Sequence, residues 1–134
     1  MNRIRILIVD DESDMSMLLK ARLSSEGFDV EVAADGIEGL RQARQNPPHL
    51  VLLDIMMPGK DGYSTLLELK QDEELRGIPV VILTAKPGMR DLFEAEGVHG
   101  YVTKPFESDI LIRTIREALA NPGKIKGSAE DVKA

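Results

Sequence analysis

Residues Leu50–Gly62 read LVLLDIMMPGKDG. Leu50, Val51, Leu52 and Leu53 run without polar interruption into a single carboxylate, Asp54, and a turn rich in Pro and Gly follows. An apolar run that does not alternate reads as a strand covered on both faces, and such strands belong to parallel sheets flanked by helices. Asp54 then marks the carboxyl end of the strand, the edge at which open α/β sheets place their chemistry. A lone Asp at a strand end more often serves a turn. Its company elsewhere in the chain decides the matter.

Upstream, Ile4 to Val9 (IRILIV) is a second apolar run and ends in Asp10-Asp11. Ser13 or Asp14 can cap a helix with Met15, Leu18, Leu19, Arg22 and Leu23 at helical spacing, closed by Gly27. Phe28 to Ala33 alternates, as an edge strand does. Asp35-Gly36 turns into a helix through Ile37, Leu40 and Ala43, which Pro47-Pro48 ends. Downstream of Asp54, a helix from about Asp61 carries Tyr63, Leu66, Leu67 and Leu69, and Gly77 breaks it. Pro79 to Leu83 is a fourth strand ending at Thr84. A short segment with Met89, Leu92 and Phe93 leads to Gly97, and Gly100 to Thr103 is a fifth strand ending in Lys104-Pro105. Glu107 to Ala120 is the last helix, with Ile110, Leu111, Ile115, Ala118 and Leu119 on one face. Five strands alternating with helices predict an α/β, doubly wound parallel sheet with right-handed crossovers. Residues 1–120 are expected to form the domain, and residues 121–134 a polar, disordered tail.

The 134 residues suffice for one domain with a real core. A net charge of −6 without a basic cluster argues against direct binding of nucleic acid. Cysteine is absent, which removes disulfide frameworks and thiolate chemistry. The opening MNRIRILIVDD is too short an apolar stretch to span a bilayer and lacks a cleavage pattern, so the expectation is a cytoplasmic protein.

In a parallel sheet all carboxyl ends point one way, so Asp10-Asp11, Asp54, Thr84 and Lys104 meet in one crevice if their strands are neighbours. Clustered carboxylates raise one another's pKa and demand a proton or a cation. Carboxylate oxygens without His or Cys nearby select Mg²⁺. The charges of three carboxylates, one Mg²⁺ and the Lys104 ammonium sum to zero, and such a pocket can accept a phosphoryl group. Asp54 is a competent nucleophile toward phosphorus. Thr84 can donate a hydrogen bond to the new phosphoryl oxygen, and Ala85 leaves room for it. Each residue taken singly has a plainer reading, as turn, cap, strand end or solvated charge; four strand-end placements together make coincidence improbable.

These residues fall within four motifs, IVDDE (Ile8 to Glu12), LLDIMMPGKDG (Leu52 to Gly62), ILTA (Ile82 to Ala85) and GYVTKPF (Gly100 to Phe106). All four, in this order over roughly Arg3 to Ala120, resemble the receiver domain of two-component response regulators, in its stand-alone single-domain type. The resemblance implies a flavodoxin-like (βα)5 fold with strand order 2-1-3-4-5. It implies phosphorylation of Asp54 by a histidine kinase or a histidine phosphotransfer protein. Asp11 and Asp54 would be the side-chain Mg²⁺ ligands, the Met56 backbone carbonyl a third, and Asp10 would act through the metal's waters. Lys104 would pair with the phosphoryl group, and Lys104-Pro105 would be cis. Thr84 and Tyr101 would form the switch, a population shift biased by phosphate contacts. The fourth helix, fifth strand and fifth helix would carry the output to a partner protein, and the last helix offers a surface for a phosphorylation-dependent homodimer. The chain would be no enzyme beyond its own Mg²⁺-dependent phosphorylation and dephosphorylation.

The chain departs from the family's pattern in two places. The stretch from Thr84 to Lys104 is short, and Pro87-Gly88 weaken the start of the fourth helix, so a short or mobile helix is expected there. Met56 and Lys86 occupy positions that tune aspartyl-phosphate lifetime, and Met56 cannot orient a water, which points to a long-lived phosphoryl state. A haloacid-dehalogenase-like phosphatase shares Asp, Thr, Lys and Mg²⁺, but wants an acid where Met56 stands. A flavodoxin-like nucleotide binder lacks its Gly-rich phosphate loop, where Asp10-Asp11 would repel phosphate. His49 and His99 have no partner at ligand spacing. Met15 and Met17 read as core or near-core fillers.

Overall fold

The computed structural model describes residues 3–55, 62–84, 95 and 97–121. The strands are β1 (Arg5–Val9), β2 (Asp29–Ala33), β3 (Leu50–Asp54), β4 (Val80–Thr84) and β5 (Gly100–Thr103). The described helices are α1 (Ser13–Ser25), α2 (Gly36–Gln45), α3 (Gly62–Gln71) and, following β5, α4 (Ser108–Ala120). All strand pairings are parallel, and the order is β2-β1-β3-β4-β5. This is the flavodoxin-like doubly wound sheet expected. β3 lies at its centre with all five residues buried, which is why Leu50 to Leu53 need no polar alternation. β2, at an edge, alternates exposed and buried positions.

The period-two geometry of the strands divides the core in two. Ile6, Ile8, Leu50, Leu52, Val81, Leu83 and Val102 face α1 and α4, meeting Leu19, Leu23, Leu111 and Ile115. Leu7, Val9, Val51, Leu53, Val80 and Ile82 face α2 and α3, meeting Leu40, Ala43, Leu66 and Leu69. Register aligns the layers across strands, with Ile8 beside Leu52 and Leu52 beside Val81. Gly27 closes α1 with φ of +97°, a conformation that suits a residue without a Cβ.

Four helix-face readings need correction, that of Ile110 in α4 among them, since its side chain is exposed. Met17 and Leu18 are 70% and 69% exposed, and Ile37 is 65% exposed. The fully buried stripe of α1 is Ser16, Leu19 and Leu23, a narrow face of the helix. The cap of α1 is also displaced. Glu12 occupies the N-cap and makes no side-chain cap bond, whereas Asp35 caps α2 by accepting the Glu38 N–H. The expected short helix around Pro87-Gly88, the Met56 carbonyl, Ala85, Lys86 and the tail beyond residue 121 lie outside the described residues.

The start of α3 is fitted against the end of β3. A Cβ on Gly62 would stand 2.5 Å from the Asp54 carbonyl oxygen and 2.5 Å from the Ile55 Cα, both backbone atoms that cannot swing aside. Gly62→Ala is therefore expected to lower the unfolding free energy by ~1–3 kcal/mol through overpacking, and to shift the Asp54 amide resonance. Chemical denaturation and amide NMR check this; a variant as stable as the parent with an unmoved Asp54 amide would contradict it.

Candidate functional site

The sheet's carboxyl edge gathers the polar strand ends by backbone pairing. The Asp10 N–H donates to the Ala33 carbonyl at 3.0 Å, the Ile55 N–H to Leu83 at 3.0 Å and the Lys104 N–H to Thr84 at 2.7 Å. β1 and β3 are adjacent, so Asp10 and Asp54 emerge side by side. Each is 2% exposed. From beyond β5, Lys104 sends its ammonium to both, Nζ lying 3.4 Å from Asp54 Oδ2 and 3.6 Å from Asp10 Oδ2. The Lys104-Pro105 bond is cis.

Glu12 is the third carboxylate, and its role was not read from the sequence. Its Oε1 lies 3.2 Å from Lys104 Nζ, and its side chain is 60% exposed. The turn that brings it there is local. Asp10 Oδ1 accepts the Glu12 N–H at 2.9 Å, the bond of an Asx turn. That spacing, an Asp followed two residues later by a second acid at a helix start, was the available signal. Oxygens of Asp10, Glu12 and Asp54 lie within 4.8 Å of one another, a grouping that could hold a metal ion. Asp11, expected among the ligands, is exposed and stands outside that grouping.

Thr84 is fully buried at the end of β4 and pairs in register with Thr103. Tyr101 is half-buried, pairs in register with Ile82 and packs on the core layer shared with α2 and α3. Strand alternation puts Thr84 and Ile82 on one face of β4, so Thr84 and Tyr101 share a face of the sheet.

Among the described residues the charges of the site do not balance. Three carboxylates face one ammonium, and two of the three are removed from water. Burial drives Asp10 upward from 3.8 to about 6; the Glu12 amide pulls it down, the Asp54 carboxylate pushes it up further, and Lys104 pulls it down. Burial works against the Lys104 charge, yet Asp10, Asp54 and Glu12 outweigh it and hold its pKa above the usual lysine value. Lys104 is thus a cation throughout the neutral range. Among the described residues Asp10 Oδ2 accepts no hydrogen bond, its one cationic neighbour being Lys104 Nζ at 3.6 Å. Three carboxylates with oxygens this close, two of them buried and sharing one ammonium, fit a hard divalent cation.

Comparison with known proteins follows the same geometry. Residues 6–116 match the family model described as the response regulator receiver domain. The chain is 40% identical over 118 residues to "Protein PilH" of Pseudomonas aeruginosa, covering 87% of this chain and 98% of that protein. It is 37% identical over 128 residues to the "DNA-binding dual master transcriptional regulator RpaA" of Synechocystis sp., covering 94% of this chain but 53% of the relative. Among solved structures, a "response regulator receiver domain protein (CheY-like)" from Methanospirillum hungatei superposes with a TM-score of 0.83 at 29% identity, covering 90% of this chain and 97% of that one.

The raised Asp10 pKa has a stability consequence. The folded value of about 6 lies above the ordinary aspartate value of 3.8, so between those limits the folded state binds more protons than the unfolded state. Without a cation, the contribution of Asp10 to stability is therefore full below the lower value and is lost as pH rises through about 6. Asp10→Asn should raise the cation-free unfolding free energy at pH 7 by ~1–3 kcal/mol and flatten its dependence across that window. Urea titrations at a series of pH values decide; a destabilised variant at pH 7 would refute the assignment.

Proposed function

Since the chain belongs to the response regulator receiver domain family, we propose that Asp54 is its phosphoacceptor and that Asp10, Glu12, Asp54 and Lys104 form its phosphorylation site. Receiver domains are the phosphoacceptors of two-component signalling and work with histidine kinases or phosphotransfer proteins. The observation that carries the site reading is the Lys104 ammonium 3.4 Å from the carboxylate of a buried Asp54, with Asp10 beside both.

In the transfer, an Asp54 carboxylate oxygen attacks phosphorus and forms the P–O bond, while the P–N bond to the donor imidazole breaks. The electron pair returns to the imidazole nitrogen, which takes a proton from solvent. Lys104 neutralises charge on the phosphoryl oxygens as Asp54 gives up its own negative charge. Asp10, Glu12 and Asp54 would hold Mg²⁺, with the exposed Asp11 free to join them and the Met56 carbonyl as a further ligand from outside the described residues. When bound, Mg²⁺ supplies the positive charge that offsets these carboxylates and steadies the incoming phosphoryl oxygens. Asp10, buried and held by the Glu12 amide, keeps its oxygen aimed into the site.

Thr84 and Tyr101 form the switch in this reading. Their common face supports it, because a shift of Thr84 toward the phosphoryl group changes the packing open to Tyr101. The changed β5 face then selects a downstream protein partner or a second copy of the domain. The chain acts catalytically on its own aspartate alone. Among the described residues no helix is long and apolar enough to cross a membrane, in keeping with a cytoplasmic site of action.

Incubation with acetyl phosphate and Mg²⁺, followed by intact-mass measurement, should add one phosphoryl group to the parent and none to Asp54→Ala. Lys104→Ala should slow the labelling by roughly 10²–10³-fold, the usual effect of removing one group that stabilises transition-state charge. Labelling of Asp54→Ala at the parental rate would overturn the site.

A further inference from the structure

Three carboxylates already surround the Lys104 ammonium. Its Nζ lies 3.2 Å from Glu12 Oε1, 3.4 Å from Asp54 Oδ2 and 3.6 Å from Asp10 Oδ2, so Glu12 is the nearest. A lysine ammonium has three donors and no more. The Lys104 side chain is only 11% exposed, which leaves it little freedom to turn outward. A phosphoryl oxygen arriving at Asp54 therefore reaches Lys104 only if one carboxylate yields its place. Asp10 is buried, with its Oδ1 tied to the Glu12 N–H, and Asp54 carries the phosphoryl group itself. Glu12 is different. Its side chain is 60% exposed, makes no cap bond to α1 and, among the described residues, bonds to Lys104 alone.

We propose that Glu12 is a positioning residue acting through Lys104. In the resting protein it competes with the phosphoryl group for the ammonium, and phosphorylation expels it. A phosphoryl group brings roughly two negative charges while Asp54 gives up one, so repulsion drives the Glu12 carboxylate outward. Water receives that carboxylate at little cost, as does the first turn of α1, whose free N–H groups favour a negative charge. A carboxylate has two oxygens, so a share of Glu12 in holding a cation does not by itself release Lys104. The contact stabilises the unphosphorylated state and slows entry into the phosphorylated one.

The inference rests on the phosphorylation-site reading above, and the test separates the two. The full chain, Glu12→Gln and Glu12→Asp are labelled with acetyl phosphate at saturating Mg²⁺ and followed by intact mass. Glu12→Gln should label about two- to fivefold faster than the parent, the scale of one exposed ion pair. Glu12→Asp keeps the charge but is one methylene shorter, while Asp10 and Asp54 hold the ammonium in place. It should therefore gain as much as Glu12→Gln. A crystal structure with beryllofluoride and Mg²⁺ should show Lys104 Nζ on a fluoride and Glu12 outside bonding distance of it. Faster labelling in Glu12→Gln alone overturns the proposal, because removing charge near the acetyl phosphate then suffices. Labelling no faster in Glu12→Gln overturns it as well, and so does Glu12 still bonded to Lys104 beside beryllofluoride. Failure of the parent to label at all overturns this inference together with the phosphorylation site.

Discussion

Two carboxylates, Asp10 and Asp54, are withdrawn from water on adjacent strands, and the Lys104 ammonium reaches both. The rest of the structure serves this unbalanced charge group. Burial of like charges opposes folding unless something offsets it, and here the acids and the base come from three separate segments. β1 and β3 bring the acids, and the chain leaving β5 brings the base. The sheet alone makes them neighbours, and its strength lies in the two apolar layers beneath them. β3 is buried along its whole length, so Asp54 is fixed at the top of a rigid strand.

Function and stability are set against each other at this edge. The feature that suits Asp10 to a divalent cation, burial beside the Asp54 carboxylate, is also the feature that pushes its pKa up in the cation-free protein. Glu12 shows the same exchange on a smaller scale. At the N-cap of α1 its carboxylate makes no bond to the helix and turns to Lys104 instead. Elsewhere the helices are held by ordinary means. Glu26 pairs with Arg22 and Arg116, and Arg116 lies over the Phe28 ring at 5.4 Å, tying α1 to α4. Exposed pairs of this type contribute little each, so the positioning of the site depends on the core.

Much of the site was legible because strand ends are legible. Leu50 to Leu53 and Ile4 to Val9 are long apolar runs ended by acids, and parallel pairing forces such ends to one rim. That reasoning placed Asp10, Asp54, Thr84 and Lys104 correctly along the same edge. It failed on helix faces. Leu18 and Ile37 satisfy helical spacing, and Met17 reads as a near-core filler, yet all three face solvent, because periodicity marks a stripe without saying which side of it the sheet will cover. Glu12 escaped notice since its part depends on a turn closed by the Asp10 side chain. Asp11, adjacent to Asp10 in the chain, stands exposed while Asp10 is buried, a difference that period and composition do not encode.

By itself the sequence determined the alternation of strands and helices, and hence a parallel sheet with its polar ends on one edge, because hydrophobic period and chain direction are local properties. Tertiary structure decided which of those ends meet at bonding distance, and that Glu12 joins them. It also decided that Asp10 is buried while Asp11 stays exposed. Those outcomes depend on strand order, helix docking angle and the partners a buried oxygen finds, all of which arise only when distant segments pack together.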